Sequence, residues 1–374
     1  MRIAINTRFL IPGKMEGFGW YTYEIAKRLV KNHPEHDFFF FFDRPFDQQF
    51  IFADNVKGIV LNPPARHPFL FIYWYEVAVK RALKKHKIDL FFSPDGYLSL
   101  KSDIPQVCVM HDLNFIHNPK DLKPLMSWYY NQFFPKFATK ANAIITVSEF
   151  SRQDIIQQYR VDPTKVHAIW NGASDNFVPL DSVTKSKIRD KYCDGKPFIL
   201  FVGSLHPRKN LKRLILAFEQ FKLQNPEAPE NLLIVGRELW KNGLEKVELC
   251  ETIKASIRFT GHLKIEELAR VTGSAEFLAF VPYFEGFGIP LVEAMRCGTP
   301  ILAGDQTAIP EIAGTAAMYC DPFSVQSILS GIKALTSDET RRNELSAMGI
   351  ERAQQFSWDK AADEVWKVLQ SQMN

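Results

Sequence analysis

The sequence predicts an α/β protein built from two successive parallel-sheet domains, and three observations carry that expectation. Short apolar runs alternate with stretches of helical periodicity along all 374 residues, as strands joined by crossover helices do. The runs fall into two sets, and apolar periodicity lapses between them at 178–184. The length also exceeds what one core holds, because single hydrophobic cores stop growing at about 250–300 residues.

The first set of strand candidates comprises 2–6, 37–42, 57–61, 88–92, 106–110, 143–147 and 166–169. The second comprises 198–202, 231–235, 256–260, 277–281 and 299–303, with a last short run at 317–319. Two such sets imply two Rossmann-like domains, here 1–180 and 181–357,. Residues 357–369 form an amphipathic helix with Ser357 as its N-cap,. Ligands in such folds sit beyond the carboxyl ends of the strands, so a cleft between facing domains is the expected active site.

Composition excludes several classes. A formal charge of +4 is too small to make nucleic acid the main partner,. No apolar run reaches the roughly 18–20 residues that span a bilayer, and the start, MRIAINT, reads as a strand rather than a signal peptide,. Cys108, Cys193, Cys250, Cys297 and Cys320 are far apart and form no Cys-x-x-Cys. They read as reduced core thiols of a cytoplasmic protein, not a disulfide frame or metal site. The stretch 66–87 is aromatic first and basic later. It reads as a core helix with a solvated end, the alternative being a basic surface for the anionic inner face of a membrane.

The most informative run is 280–302, FVPYFEGFGIPLVEAMRCGTPIL. It reads as a strand, a glycine loop, a helix opened by Pro290, and another strand. Proline near a helix start costs little, and the turn it opens presents N–H groups and a positive dipole end that suit a phosphate. Gly286 and Gly288 allow a ligand to approach the backbone,. Glu285 in the loop and Glu293 in the first helical turn can accept hydrogen bonds from sugar hydroxyls, although acids also cap first turns,. A phosphate seat with two hydroxyl acceptors suggests a nucleotide-sugar. Farther upstream, Arg208 and Lys209 precede a helix at 211–223. Cations at a helix N-terminus oppose the dipole, so an anion such as a diphosphate would offset them; the bland alternative is a solvated pair. His111 and Asp112 close the strand at 106–110, where His111 could equally be orienting a loop. Gly17 and Gly19 open a helix that begins beside Trp20.

The run around Glu285 and Glu293 resembles the Glu-x7-Glu signature of retaining glycosyltransferases with the two-domain GT-B fold, particularly family 4. The segments PRKN at 207–210, HD at 111–112, ITVSE at 145–149 and TAIPE at 307–311 match that family in order. The resemblance implies a C-terminal helix (358–374) crossing back to an acceptor-side first domain, and a donor-binding second domain. It assigns catalytic roles to His111, Glu285, Arg208 and Lys209. Glu293 would hold the donor ribose, and Gly286, Phe287, Gly288, Leu291, Val292, Gly17 and Gly19 would complete the donor site. Asp112 and Trp20 would face the acceptor; Trp20 departs from the commonest pattern, which often has a basic residue there.

The HD, PRKN and EGFG segments are nearest to mannosyltransferases. The expected donor is therefore GDP-mannose, with a UDP-hexose second, and the expected acceptor a cell-surface glycan or its lipid-linked precursor. No Asp-x-Asp is present, so the cationic pair would replace a metal,. A GT-B-fold epimerase and a non-catalytic nucleotide-sugar-binding protein are the rival readings. A dehydrogenase is disfavoured, because neither half has Gly-x-Gly-x-x-Gly after its first strand,.

Overall fold

A computed structural model describes residues 1–204, 206–236 and 251–373, so Leu205 and Cys250 lie outside the described residues. The chain divides into two compact units, Met1–Asn171 joined by the segment from Ser357, and Gly172–Phe356.

The first unit holds a seven-stranded, wholly parallel sheet. Its strands are β1 (Arg2–Asn6), β2 (Asp37–Phe42), β3 (Val56–Val60), β4 (Leu90–Ser93), β5 (Gln106–Val109), β6 (Ala143–Thr146) and β7 (Val166–Ala168). They run in the order β3-β2-β1-β4-β5-β6-β7. The second unit holds β8 (Phe198–Val202), β9 (Asn231–Val235), β10 (Ile257–Gly261), β11 (Phe277–Phe280), β12 (Ile301–Gly304) and β13 (Met318–Cys320). Their order is β10-β9-β8-β11-β12-β13, again parallel throughout. Each sheet therefore reverses its winding beside its first strand, at β1/β4 and at β8/β11. Those are the points where connections leave in opposite directions and open a crevice at the strand ends.

Helices on both faces explain why the strands read as unbroken apolar runs. All five phenylalanines of β2 are buried, as are Leu200, Leu232 and Leu278 in the second sheet. The strands match the expected runs to within two residues, and the offsets have local causes. Ile88 does not enter β4, because its N–H donates to Leu83 O and closes the preceding helix. Thr299 does not enter β12. Its N–H returns to Ala294 O past Gly298, which ends the helix Ile289–Cys297 in the left-handed region,.

The chain changes unit at Asn171/Gly172, earlier than the sequence places the boundary. Residues 172–177 pack into the second unit: Phe177 lies with Ala269 and Cys297, and Arg296 holds Ala173 O and Asp175 at 2.7 Å each. The helix Trp358–Gln370, capped by Ser357 Oγ, returns to the first unit. There Trp366 stacks on His33 at 3.7 Å, Trp358 meets Tyr21, and Asp359 pairs with Arg28.

The stretch 66–87 is only half core. Phe71, Trp74, Tyr75 and Val79 are buried, whereas Phe69 is 60% exposed and Tyr73 45%. Among the described residues no helix is long and apolar enough to cross a membrane, and no cluster of His, Cys, Asp and Glu is arranged to hold a metal ion. The described cysteines, Cys108, Cys193, Cys297 and Cys320, are buried free thiols.

Candidate functional site

The second unit gathers its charged residues where its winding reverses. After β8 the chain forms the tight turn Pro207–Lys209, in which His206 Nδ1 accepts from Arg208 N–H. After β11 it runs through Tyr283, whose N–H donates to Arg208 O at 3.1 Å. Asn210, in the left-handed conformation, ties the turn down by donating to Val281 O (2.9 Å) and Pro322 O (2.6 Å). Arg208 Nη1 and Lys209 Nζ then converge on one oxygen, Glu285 Oε2, at 2.7 and 2.6 Å. Burial alone would push the Glu285 carboxyl up, but Arg208 and Lys209 more than offset it and hold the pKa below the usual glutamate range,. Oε1 makes no hydrogen bond among the described residues, which leaves it available to a hydroxyl.

The loop beyond Glu285 is set by backbone geometry. Gly288 has φ +95°, and a Cβ there would meet Leu291 at 3.0 Å and Phe280 at 3.2 Å, so only glycine fits. Phe287 is buried against Phe356. Leu291 and Val292 are fully buried, so neither side chain can contact a ligand. Leu291 N–H donates to Gly288 O at 2.9 Å, inside the turn.

Glu293 is the fifth residue of the helix Ile289–Cys297, past the first turn in which the sequence places it. A capping role is thereby removed. Its carboxylate has no hydrogen bond or ion pair among the described residues. Part of its surface stays accessible, yet the surrounding protein desolvates the carboxyl and pushes its pKa up to about 8. An acid this perturbed without a described partner is a candidate functional position.

In the first unit, His111 Nε2 donates to Pro94 O at 2.9 Å. A carbonyl only accepts, so the proton sits on Nε2 and Nδ1 is left as an acceptor. Burial lowers the His111 pKa and keeps the ring neutral, with Phe18 and Tyr21 each 4.8 Å away. Asp112 Oδ1 accepts from Asn114 N–H, a local turn contact. Gly17 is open to its surroundings, whereas a Cβ on Gly19 would lie 2.8 Å from Phe9 O. Gly19 is thus needed for packing. Trp20 is half-buried and packs edge-on against Tyr23.

Two family models match this chain in sequence order. Residues 15–177 match glycosyltransferase family 4, and 184–355 match glycosyl transferases group 1. The chain belongs to the family 4 glycosyltransferases. The enzyme is 26% identical over 362 residues to the O-antigen chain mannosyltransferase B of Escherichia coli, covering 92% of this chain and 93% of that one. It is 25% identical over 252 residues to a GDP-mannose-dependent phosphatidylinositol monomannoside mannosyltransferase of Corynebacterium glutamicum, covering 64% of this chain and 65% of that one. Among solved structures, HepE of Anabaena, in complex with UDP and glucose, aligns with a TM-score of 0.75 over 99% of this chain and 100% of its own. At 18% identity that likeness shows the GT-B fold alone. The protein is therefore a mannosyltransferase-like, nucleotide-sugar-dependent glycosyltransferase.

Two residues shape the loop around Glu285 through contacts that the matched runs TAIPE and PRKN do not reveal. Thr307 Oγ1 accepts from Glu285 N–H at 3.1 Å while its own φ is +59°, a strained value for a β-branched residue,. Asn210 lies inside the recognised PRKN run, but its role as a clamp needs the backbone of Pro322, 112 residues away. No local signal marks either contact.

Proposed function

We propose that the enzyme transfers mannose from GDP-mannose to a glycan or lipid-linked glycan, with retention of anomeric configuration and without a metal. The convergence of Arg208 and Lys209 on Glu285 at the carboxyl ends of β8 and β11 carries this reading. Departure of the nucleoside diphosphate develops negative charge, and a preorganised guanidinium and ammonium stabilise it where other enzymes use a metal. Glu285, anchored through Oε2, presents Oε1 to a hydroxyl of the donor sugar. Glu293 accepts from the ribose hydroxyls, and the neutral Nδ1 of His111 accepts from a sugar hydroxyl. The mannosyltransferase names of the relatives support the choice of sugar, and the GDP-mannose dependence of one supports the choice of nucleotide.

A thermal-shift screen of nucleotide-sugars tests the donor, because a specific ligand stabilises by about 2.7 kcal/mol at a hundredfold excess over Kd. GDP-mannose is expected to give the largest shift, and labelled mannose should pass to an acceptor glycan at an undiminished rate in EDTA. A UDP-sugar shifting more, or turnover abolished by EDTA and restored by a divalent cation, would refute those parts. Sugar interconversion with donor alone would favour an epimerase.

The same reading extends to peripheral contact with an anionic membrane. Residues 66–87 and 120–140 carry ten Lys and Arg against two acids, an excess of eight where the whole chain carries +4. Phe69, Leu70, Tyr73, Leu125 and Trp128 are exposed on helices of these two segments. Salt-sensitive co-sedimentation with phosphatidylglycerol vesicles, and none with phosphatidylcholine, is expected. Equal pelleting with both lipids would argue against an electrostatic surface.

A further inference from the structure

Arg8 has no part in the reading above, yet it occupies the winding reversal of the first sheet. It follows β1 by two residues and Asp95 follows β4 by two, and these strands pair directly (Ile3 with Leu90, Ala4 with Phe91). The crevice at such strand ends is where open α/β sheets take ligands. Arg8 is only 5% exposed, and its Nε donates to Asp95 Oδ2 at 2.6 Å. Asp95 Oδ1 is itself fixed by Asn6 Nδ2 (2.8 Å) and Ser93 Oγ (2.9 Å). Rings cover the guanidinium: Tyr97 lies 4.2 Å from its carbon, Phe9 4.7 Å, Phe71 5.1 Å and Tyr75 5.7 Å.

This arrangement immobilises one edge and leaves the other without protein partners. Nη1 and Nη2 make no hydrogen bond among the described residues and keep some accessible surface. A purely structural arginine this enclosed would be expected to spend those donors on the protein. The crevice also adjoins His111, whose Nε2 is held by Pro94 O next to Asp95, and Phe18 contacts both Phe9 and His111.

We propose that Arg8 recognises the acceptor, its Nη nitrogens donating to hydroxyl or ring oxygens of a neutral sugar residue. The assignment rests on the glycosyltransferase reading, with the first unit as the acceptor side. Charge decides for a neutral sugar over a phosphate or carboxylate. Asp95 already cancels the Arg8 charge, so an anion would leave a net negative charge in a ring-walled site. Those aromatic walls suit the apolar faces of a sugar.

The test uses methyl α-mannopyranoside as the neutral probe and methyl phosphate as the anionic one, with binding to the full-length enzyme read by ligand-observed NMR. Arg8→Lys keeps the charge beside Asp95 but removes the forked outer edge. It is expected to weaken the mannoside at least tenfold, while calorimetric affinity for GDP-mannose stays within twofold and the melting temperature within a few degrees. Equal mannoside binding by both proteins, no mannoside binding by the wild type, or displacement of the mannoside by methyl phosphate would each overturn it. Loss of donor affinity in step with mannoside binding would also overturn it, by making Arg8 structural. A wild type that binds the mannoside but no nucleotide-sugar would instead count against the donor reading.

Discussion

Lys209→Ala is expected to lower kcat by about two to three orders of magnitude, the usual effect of deleting one preorganised group that meets developing charge. Its ammonium is 2.6 Å from Glu285 Oε2, in a side chain that is 10% exposed and packs over the Phe280 ring. That environment strengthens its field, because little solvent screens it. The structural cost should be smaller. Orphaning a buried charge outright costs about 3–5 kcal/mol, but Glu285 would keep Arg208 at 2.7 Å. Calorimetric melting of Lys209→Ala should therefore fall by only a few degrees while turnover of labelled donor collapses. Full specific activity in Lys209→Ala at a lowered melting temperature would make the residue structural.

How much of this was legible beforehand depends on the distance over which each feature is determined. The parallel sheets were readable because strands buried on both faces are unbroken apolar runs, as in the five phenylalanines of β2,. The charged residues were readable because PRKN and the Glu-x7-Glu run are local in sequence. Their association was not. That Arg208 and Lys209 share one oxygen of Glu285 depends on β8 and β11 lying side by side, at sequence separations of 77 and 76. The unit boundary was misplaced for a similar reason. Phe177 falls within the first domain by sequence, until Ala269 and Cys297 are brought against it. The helix start reads in sequence only as a set of N–H groups, whereas in the fold Gly288, in the left-handed region, accepts from Leu291 N–H through its own carbonyl. The Arg8–Asp95 pair left no sequence trace, because its partners arrive from loops after two separate strands.

Glu293→Gln is expected to do two opposite things, and the pH dependence tells them apart. The folded carboxyl titrates at about 8, raised by burial from the ordinary 4.5. Below about pH 4.5 it is protonated in both folded and unfolded states and has no differential effect. As pH rises from there to 8 the unfolded chain releases its proton first, so the free enzyme loses stability across that window. Discounted for the partial exposure of the side chain, the loss is about 1–2 kcal/mol at pH 8. The glutamine variant should therefore melt about 2–6 °C higher than the wild type at pH 8 and no higher at pH 4. Donor binding should change in the other direction. A ribose diol donates most strongly to an ionised carboxylate, so wild-type affinity for GDP-mannose should increase from pH 6 to 8, with proton release visible by calorimetry in buffers of different ionisation enthalpy. Glu293→Gln, which has no proton to release, should bind about tenfold or more weakly at pH 8, in line with losing charge-assisted hydrogen bonds of about 1.5–3 kcal/mol. A variant that gains stability at pH 8 yet binds the nucleotide unchanged would leave Glu293 as a buried acid with no part in the donor site.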